Sequence, residues 1–106
     1  MRPRIAFERM LEGDFDMSEM SFATLVSMKS GPNCPFVAIP VMLSKMFRHD
    51  AIYIRVNRGI RRPEDLAGRR IGTMRFTSTA LVYARGLLQH EYGVTPKDIH
   101  WFIGGI

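Results

Sequence analysis

The hydrophobic pattern of this chain changes period several times, and each change marks an element. Over 78–91 apolar residues return every three to four positions, placing Leu81, Ala84, Leu87 and Leu88 on one face of a helix. Short apolar runs flank that helix, and Arg70–Met74 and Ile99–Ile103 read as strands. Upstream, Ile5, Phe7, Met10 and Leu11 give a loose apolar face to a helix over 4–12, which Gly13 closes. Phe15–Met20 reads as a short strand with Phe15, Met17 and Glu19 on one side. Phe22, Leu25, Val26 and Lys29 align on a helix over 22–29, with Ser21 placed to cap it. Phe36–Leu43 reads as a buried strand interrupted at Pro40, and Ala51–Val56 as a further β-rich run.

The punctuation agrees with this division. Gly31, Pro32, Asn33 and Pro35 form a breaker cluster. Pro63 opens a short helix with Glu64 and Asp65 in its first turn, and Gly68 ends it. At Thr95-Pro96-Lys97-Asp98, Thr95 can cap while Asp98 bonds back to it. Strands and helices alternate nearly throughout, which predicts an α/β chain with a mostly parallel sheet flanked by helices. The sequence starts inside a helical pattern and stops at Gly104-Gly105-Ile106, directly after a strand. Parallel strands are normally covered on both faces, so the expectation is a piece of a longer protein. Uncovered edges of that kind predict self-association.

Composition narrows the classes. The chain has 106 residues, 46% hydrophobic and 24% charged, enough for a modest core and unlike a disordered chain. The apolar stretch Phe36–Leu43 is far too short to span a membrane, so no membrane partner is expected. The start, MRPRIAFERM, carries no apolar signal region. Cys34 is the single cysteine, which fits a reducing compartment and predicts a cytoplasmic location. Net charge is +5, and Arg58, Arg61, Arg62, Arg69, Arg70 and Arg75 fall in one short stretch. No recognised nucleic-acid module accompanies them. They read as a solvated surface flanking one anion site, with no nucleic-acid partner.

That anion site is the clearest chemistry in the sequence. Arg75, Thr77, Ser78 and Thr79 stand where strand gives way to helix. A helix N-terminus offers backbone N–H groups and a partial positive charge, so hydroxyls and an arginine there suit a carboxylate or phosphate. Thr77 and Ser78 also suit plain capping. His49, His90 and His100 lack metal-ligand spacing, and neither a Gly-rich nucleotide loop nor a GxS nucleophile motif is present, so no metal or cofactor is expected. His90, near a helix end, reads as a dipole partner, and His100, beside Trp101, as a packed histidine.

Five runs resemble the 4,5-dihydroxyphthalate decarboxylase family: FERMLEGDFDMSEMS (7–21), PFVAIPVMLSKMFRHDAIYI (35–54), GIRRPEDLAGRRIG (59–72), ARGLLQHEYGV (84–94) and DIHWFIGG (98–105). The LAGRRIG element is common to many solute-binding proteins, whereas FDMSEMS, AIPVMLSKMFRH and DIHWFIGG together are more specific. The resemblance implies a partial type 2 periplasmic-binding-protein-like fold, with 1–56 as the end of the first lobe, 57–65 as the crossing and 66–106 as the start of the second. It implies a truncated member performing non-oxidative decarboxylation of an aromatic dicarboxylate. The alternatives are a transporter-type substrate-binding protein for a small anion, or a non-catalytic fragment that self-associates.

Such a decarboxylation needs a cationic clamp for the retained carboxylate and a proton donor for the ring carbon. Arg75, Thr77, Ser78 and Thr79 are the candidate clamp for a small aromatic or other carboxylate ligand. Ser18, Glu19 and Ser21 lie at a predicted strand end, where open α/β sheets place ligands. Arg48 and His49 lie between two predicted strands. Glu19 or His49 is the candidate proton donor, Ser18, Ser21 and Arg48 are candidate substrate contacts, and each also suits a surface or capping role.

Overall fold

The computed structural model describes residues 3–41, 43 and 46–104, with side chains from residue 5 onward. Those residues form two compact units, 1–45 and 46–106. The first holds two helices, α1 (Pro3–Leu11) and α2 (Phe22–Lys29). Gly13, at φ +86°, turns the chain out of α1, a conformation that side chains disfavour. Arg9 Nε donates to Asp14 Oδ2 at 2.7 Å across that turn, and the guanidinium lies 5.2 Å from the centre of the Phe15 ring.

The second unit is a strand–helix–strand motif. β1 (Arg70–Thr73) pairs in parallel with β2 (His100–Ile103), in the register Arg70↔His100 to Thr73↔Ile103. Between them runs α3 (Thr79–Tyr92). Its two ends are specified locally. Ser78 caps the start, its Oγ accepting the Leu81 N–H at 3.4 Å. Gly93 in the left-handed region ends it, and the Val94 N–H reaches back to the Leu88 carbonyl at 2.9 Å. Val94 and Leu88 are both buried, giving the apolar contact that accompanies this stop.

Two short 3-10 turns complete the frame. Pro63–Leu66 is fixed by Asp65 Oδ2, which accepts the backbone N–H groups of Arg61 and Arg62. Pro96–Asp98 is fixed by Asp98 Oδ2, which accepts both the N–H and the hydroxyl of Thr95, each at 2.8 Å. Leu66, Leu88, Val94 and Ile99 form the core, with Ile52, Ile60, Ile71, Tyr92 and Trp101 packed against them. Ile71 and Trp101 are cross-strand partners, so this face of the sheet is the buried one. Arg70, Gly72, His100 and Phe102 alternate with them and are exposed.

Several expectations are corrected here. Phe15–Met20 and Ala51–Val56 are irregular rather than strands. In Phe36–Leu43 the described residues form no strand, and Met42 lies outside the described residues. Val37, Ile39, Val41 and Leu43 are exposed, Val37 at 83%. The Val41 N–H closes a tight turn on the Ile39 carbonyl around Pro40. A strand exists only where another backbone supplies its ladder bonds, and among the described residues none lines up beside these runs. The mostly parallel flanked sheet is therefore, among the described residues, a two-stranded parallel sheet. His100 is exposed rather than packed, because strand alternation turns Trp101 inward instead.

Candidate functional site

The β1–α3 junction is built from residues 74–79. β1 stops at Thr73, Met74 bends, Phe76 and Thr77 turn, and Ser78 begins the helix. The site therefore stands at the carboxyl end of a parallel strand, the edge at which open α/β sheets bind ligands. The edge is held in place by the Gly104 N–H bonding the Thr73 carbonyl at 3.0 Å. Arg75 and Thr77 are exposed, whereas Ser78 and Thr79 are half-buried. All four lie on the short segment that leads into α3 or at its first residue, beside backbone N–H groups that a helix start leaves without intrahelical partners. Ser78 is both the cap and part of this segment.

A residue that sequence reasoning missed organises the junction. Arg85, two turns into α3, sends its guanidinium back along the helix. Its Nη1 donates to the Phe76 carbonyl at 2.7 Å, and its Cζ lies 3.7 Å from the Phe76 ring centre. Phe76 in turn meets Trp101 edge-on, with ring centres 5.6 Å apart at 79°. Trp101 Nε1 donates to the Pro96 carbonyl at 2.9 Å. Burial pulls the Arg85 pKa down from its ordinary value, although arginine stays charged. The chain Arg85–Phe76–Trp101–Pro96 thus ties the turn carrying Arg75 to both β2 and the 3-10 turn before it. The available signal was an arginine following an aromatic residue by nine positions, since long helical side chains lean towards the N-terminus.

The remaining candidates belong to other segments of the chain. Arg48 is half-buried, and its carbonyl accepts the Ala51 N–H in a turn. His49 Nε2 is 4.0 Å from Glu91 Oε1, near the C-terminal end of α3. Thr79 and Glu91 are separated by about 18 Å of helix, so His49 and the Arg75 cluster are not brought together. In the first unit, Ser18 Oγ donates to the Glu19 carbonyl at 3.3 Å, and both residues are exposed on an irregular segment. Ser21 occupies the N-cap position of α2, yet its side chain makes no capping bond to the helix. Among the described residues no group of three or more metal-ligating side chains converges. No helix among them is long and apolar enough to cross a membrane.

Comparison with known proteins adds two findings. Residues 6–104 match the family model described as NMT1/THI5 like. The chain is also 40% identical over 101 residues to "4,5-dihydroxyphthalate decarboxylase" of Comamonas testosteroni, covering 95% of this chain and 31% of that protein. It is 37% identical over 101 residues to the protein of the same name from Pseudomonas putida, covering 95% of this chain and 39% of that protein. The chain spans between 31% and 39% of the length of these relatives.

Proposed function

The chain belongs to the NMT1/THI5-like family, and from that premise we propose that it serves the non-oxidative decarboxylation of an aromatic dicarboxylate of the 4,5-dihydroxyphthalate type. It does so as part of a two-lobed, type 2 periplasmic-binding-protein-like fold. The observation that carries the reading is the 40% and 37% identity, over 101 residues, to two proteins named for that reaction. The β1–α3 junction is consistent with it, because it offers a cationic, N–H-rich corner of the kind a retained carboxylate needs.

In this scheme Arg75, the hydroxyls of Thr77 and Thr79 and the start of α3 hold the carboxylate that stays on the ring. The departing carboxylate leaves as carbon dioxide. The electron pair of the broken carbon–carbon bond remains on the ring carbon, which takes a proton from a general acid. Glu19 and His49 are the two candidate donors in this scheme. Ser18, Ser21 and Arg48 are the further candidate substrate contacts of this scheme.

A chimera tests this reading. Residues 6–104 replace the matching segment of the Comamonas testosteroni relative, and carbon dioxide release from 4,5-dihydroxyphthalate is followed. Turnover in the ordinary range of about 1 s⁻¹ or more, lost in the Arg75→Ala chimera, is the expected result. A folded chimera without turnover, or one indifferent to Arg75→Ala, sinks the assignment.

A further inference from the structure

The second unit carries a groove, of about 580 Å³, that the junction does not use. It runs between the 52–60 segment and the start of β1, and none of residues 74–79 lines it. Arg55 and Arg58 line it from one segment of the chain, Arg69 and Arg70 from another. Ile71 and Phe102 are among the apolar residues of its surface, and no acidic residue lines it.

The charges of this groove are not spent internally. Among the described residues Arg55, Arg58 and Arg70 form no ion pair. Arg69 Nε donates to the Asp65 backbone carbonyl at 3.2 Å, a neutral partner. The carboxylate of Asp65 is taken by the N–H groups of Arg61 and Arg62 and by the Arg62 side chain at 3.7 Å. Those bonds, the Arg61 N–H first, hold its pKa below the ordinary value of 3.8, so the acid stays ionised and engaged there. The backbone also shapes the groove. Gly59, at φ +71°, turns the chain between the arginine-bearing segment and Ile60, and a Cβ placed there would stand 3.9 Å from Arg69 Nη2.

From these features we infer that the Arg55–Arg58–Arg69–Arg70 groove is a second ligand site, which takes a planar organic anion with acidic groups at two ends of an apolar body. Four guanidinium groups, from two segments that line one groove, suit two carboxylates, each of which arginine binds in a forked geometry. The apolar surface of the same groove, with Phe102 58% exposed, suits an aromatic body rather than a bare inorganic ion. The volume lies within the range of small-molecule sites. This inference stands apart from the decarboxylation reading, since it uses neither Arg75 nor the start of α3.

The test is a calorimetric and NMR titration of the full 106-residue chain with naphthalene-2,6-dicarboxylate. Comparison ligands are 2-naphthoate and inorganic phosphate. The dicarboxylate is expected to bind about tenfold or more tightly than 2-naphthoate, because a second arginine pair is engaged. Amide shifts should gather at Ile54, Ile71 and Phe102. The exposed double variant Arg58→Ala/Arg70→Ala should lose that affinity about tenfold or more while keeping its circular dichroism, and Lys97→Ala, outside the groove, should leave it unchanged. Loss of binding in Arg75→Ala alone would assign the ligand to the helix start and overturn the proposal. Phosphate binding as tightly as the dicarboxylate would overturn it too. So would absence of any binding, or a doubling of mass without ligand that Arg58→Ala/Arg70→Ala reverses, since the occupant would then be a second copy.

Discussion

Replacing Arg85 with alanine should loosen the junction from behind. Alanine is the best helix former, so α3 itself loses nothing in propensity. What goes is the 2.7 Å bond to the Phe76 carbonyl and the guanidinium stacked 3.7 Å from the Phe76 ring centre. A hydrogen bond to a charged donor contributes about 1.5–3 kcal/mol. A cation over an aromatic face at a half-exposed position adds about 0.5–1 kcal/mol. Arg85 is only half-buried, so water compensates the freed carbonyl in part, and a total loss of about 2–3 kcal/mol follows. For a unit of this size that lowers the melting midpoint by roughly 8–24 °C. Trp101 is the single tryptophan and touches Phe76, so its fluorescence reports the junction directly while far-UV circular dichroism reports α3. Arg85→Lys keeps the charge but not the planar fork that stacks and bonds at once, and should recover less than half of the loss. An Arg85→Ala chain with wild-type Trp101 emission and a stability within about 0.5 kcal/mol of wild type, the range of neutral surface substitutions, would refute the bracing role.

Other outcomes follow from the same geometry. Leu88→Ala empties the centre of the core and should cost about 2–5 kcal/mol, read as a lost or broadened unfolding transition of the second unit. The Thr95 hydroxyl, then its N–H, holds the Asp98 carboxyl below the ordinary value of 3.8. The folded chain therefore binds fewer protons there than the unfolded one. That stabilisation is complete above this pH and is lost as pH falls below it, through the folded pKa. Asp98→Asn should flatten this part of the acid-denaturation profile measured in urea. Val37, Ile39 and Val41 are all exposed apolar residues of one short segment, so the chain should self-associate at micromolar concentration. Ile39→Lys should shift its sedimentation towards the single-chain mass, and an unchanged distribution would remove that segment from the contact. The 106-residue chain alone should release no carbon dioxide from 4,5-dihydroxyphthalate, since no charged side chain among its described residues is buried and preorganised charge needs exclusion of water.

The elements legible in the sequence are those whose signals are local. Ser78 before an apolar stripe, Pro63 with acids behind it, and Thr95 with Asp98 three positions on each specify their own turn, and the structure forms all three. β1 and β2 were also legible, because the helix between them is long enough for a parallel crossover. The three missed strands show the opposite case. An apolar run such as Val37–Val41 states that a surface wants cover, but not which backbone will bond to it. Ser21 shows that a good capping residue type does not guarantee the bond. At the candidate site, the hydroxyl and arginine cluster is contiguous in sequence and was visible. The Arg85 brace and the four-arginine groove were not, because the first joins positions nine apart and the second joins 55–58 to 69–70 through a fold.

The parallel pairing of β1 with β2 also governs how this unit comes into being. Arg70 meets His100 only after about 30 intervening residues have been gathered, a closure that costs roughly 3 kcal/mol of chain entropy. Neither strand has another described partner to hold it meanwhile. The helix, by contrast, carries its own start and stop and can flicker into place within about a microsecond. Once formed, α3 shortens the distance the two strands must search, and its buried Ala84 and Leu88 give them a surface on which to condense. Substitutions at Ser78 or Gly93 should therefore slow refolding, whereas those in β1 and β2 should chiefly hasten unfolding.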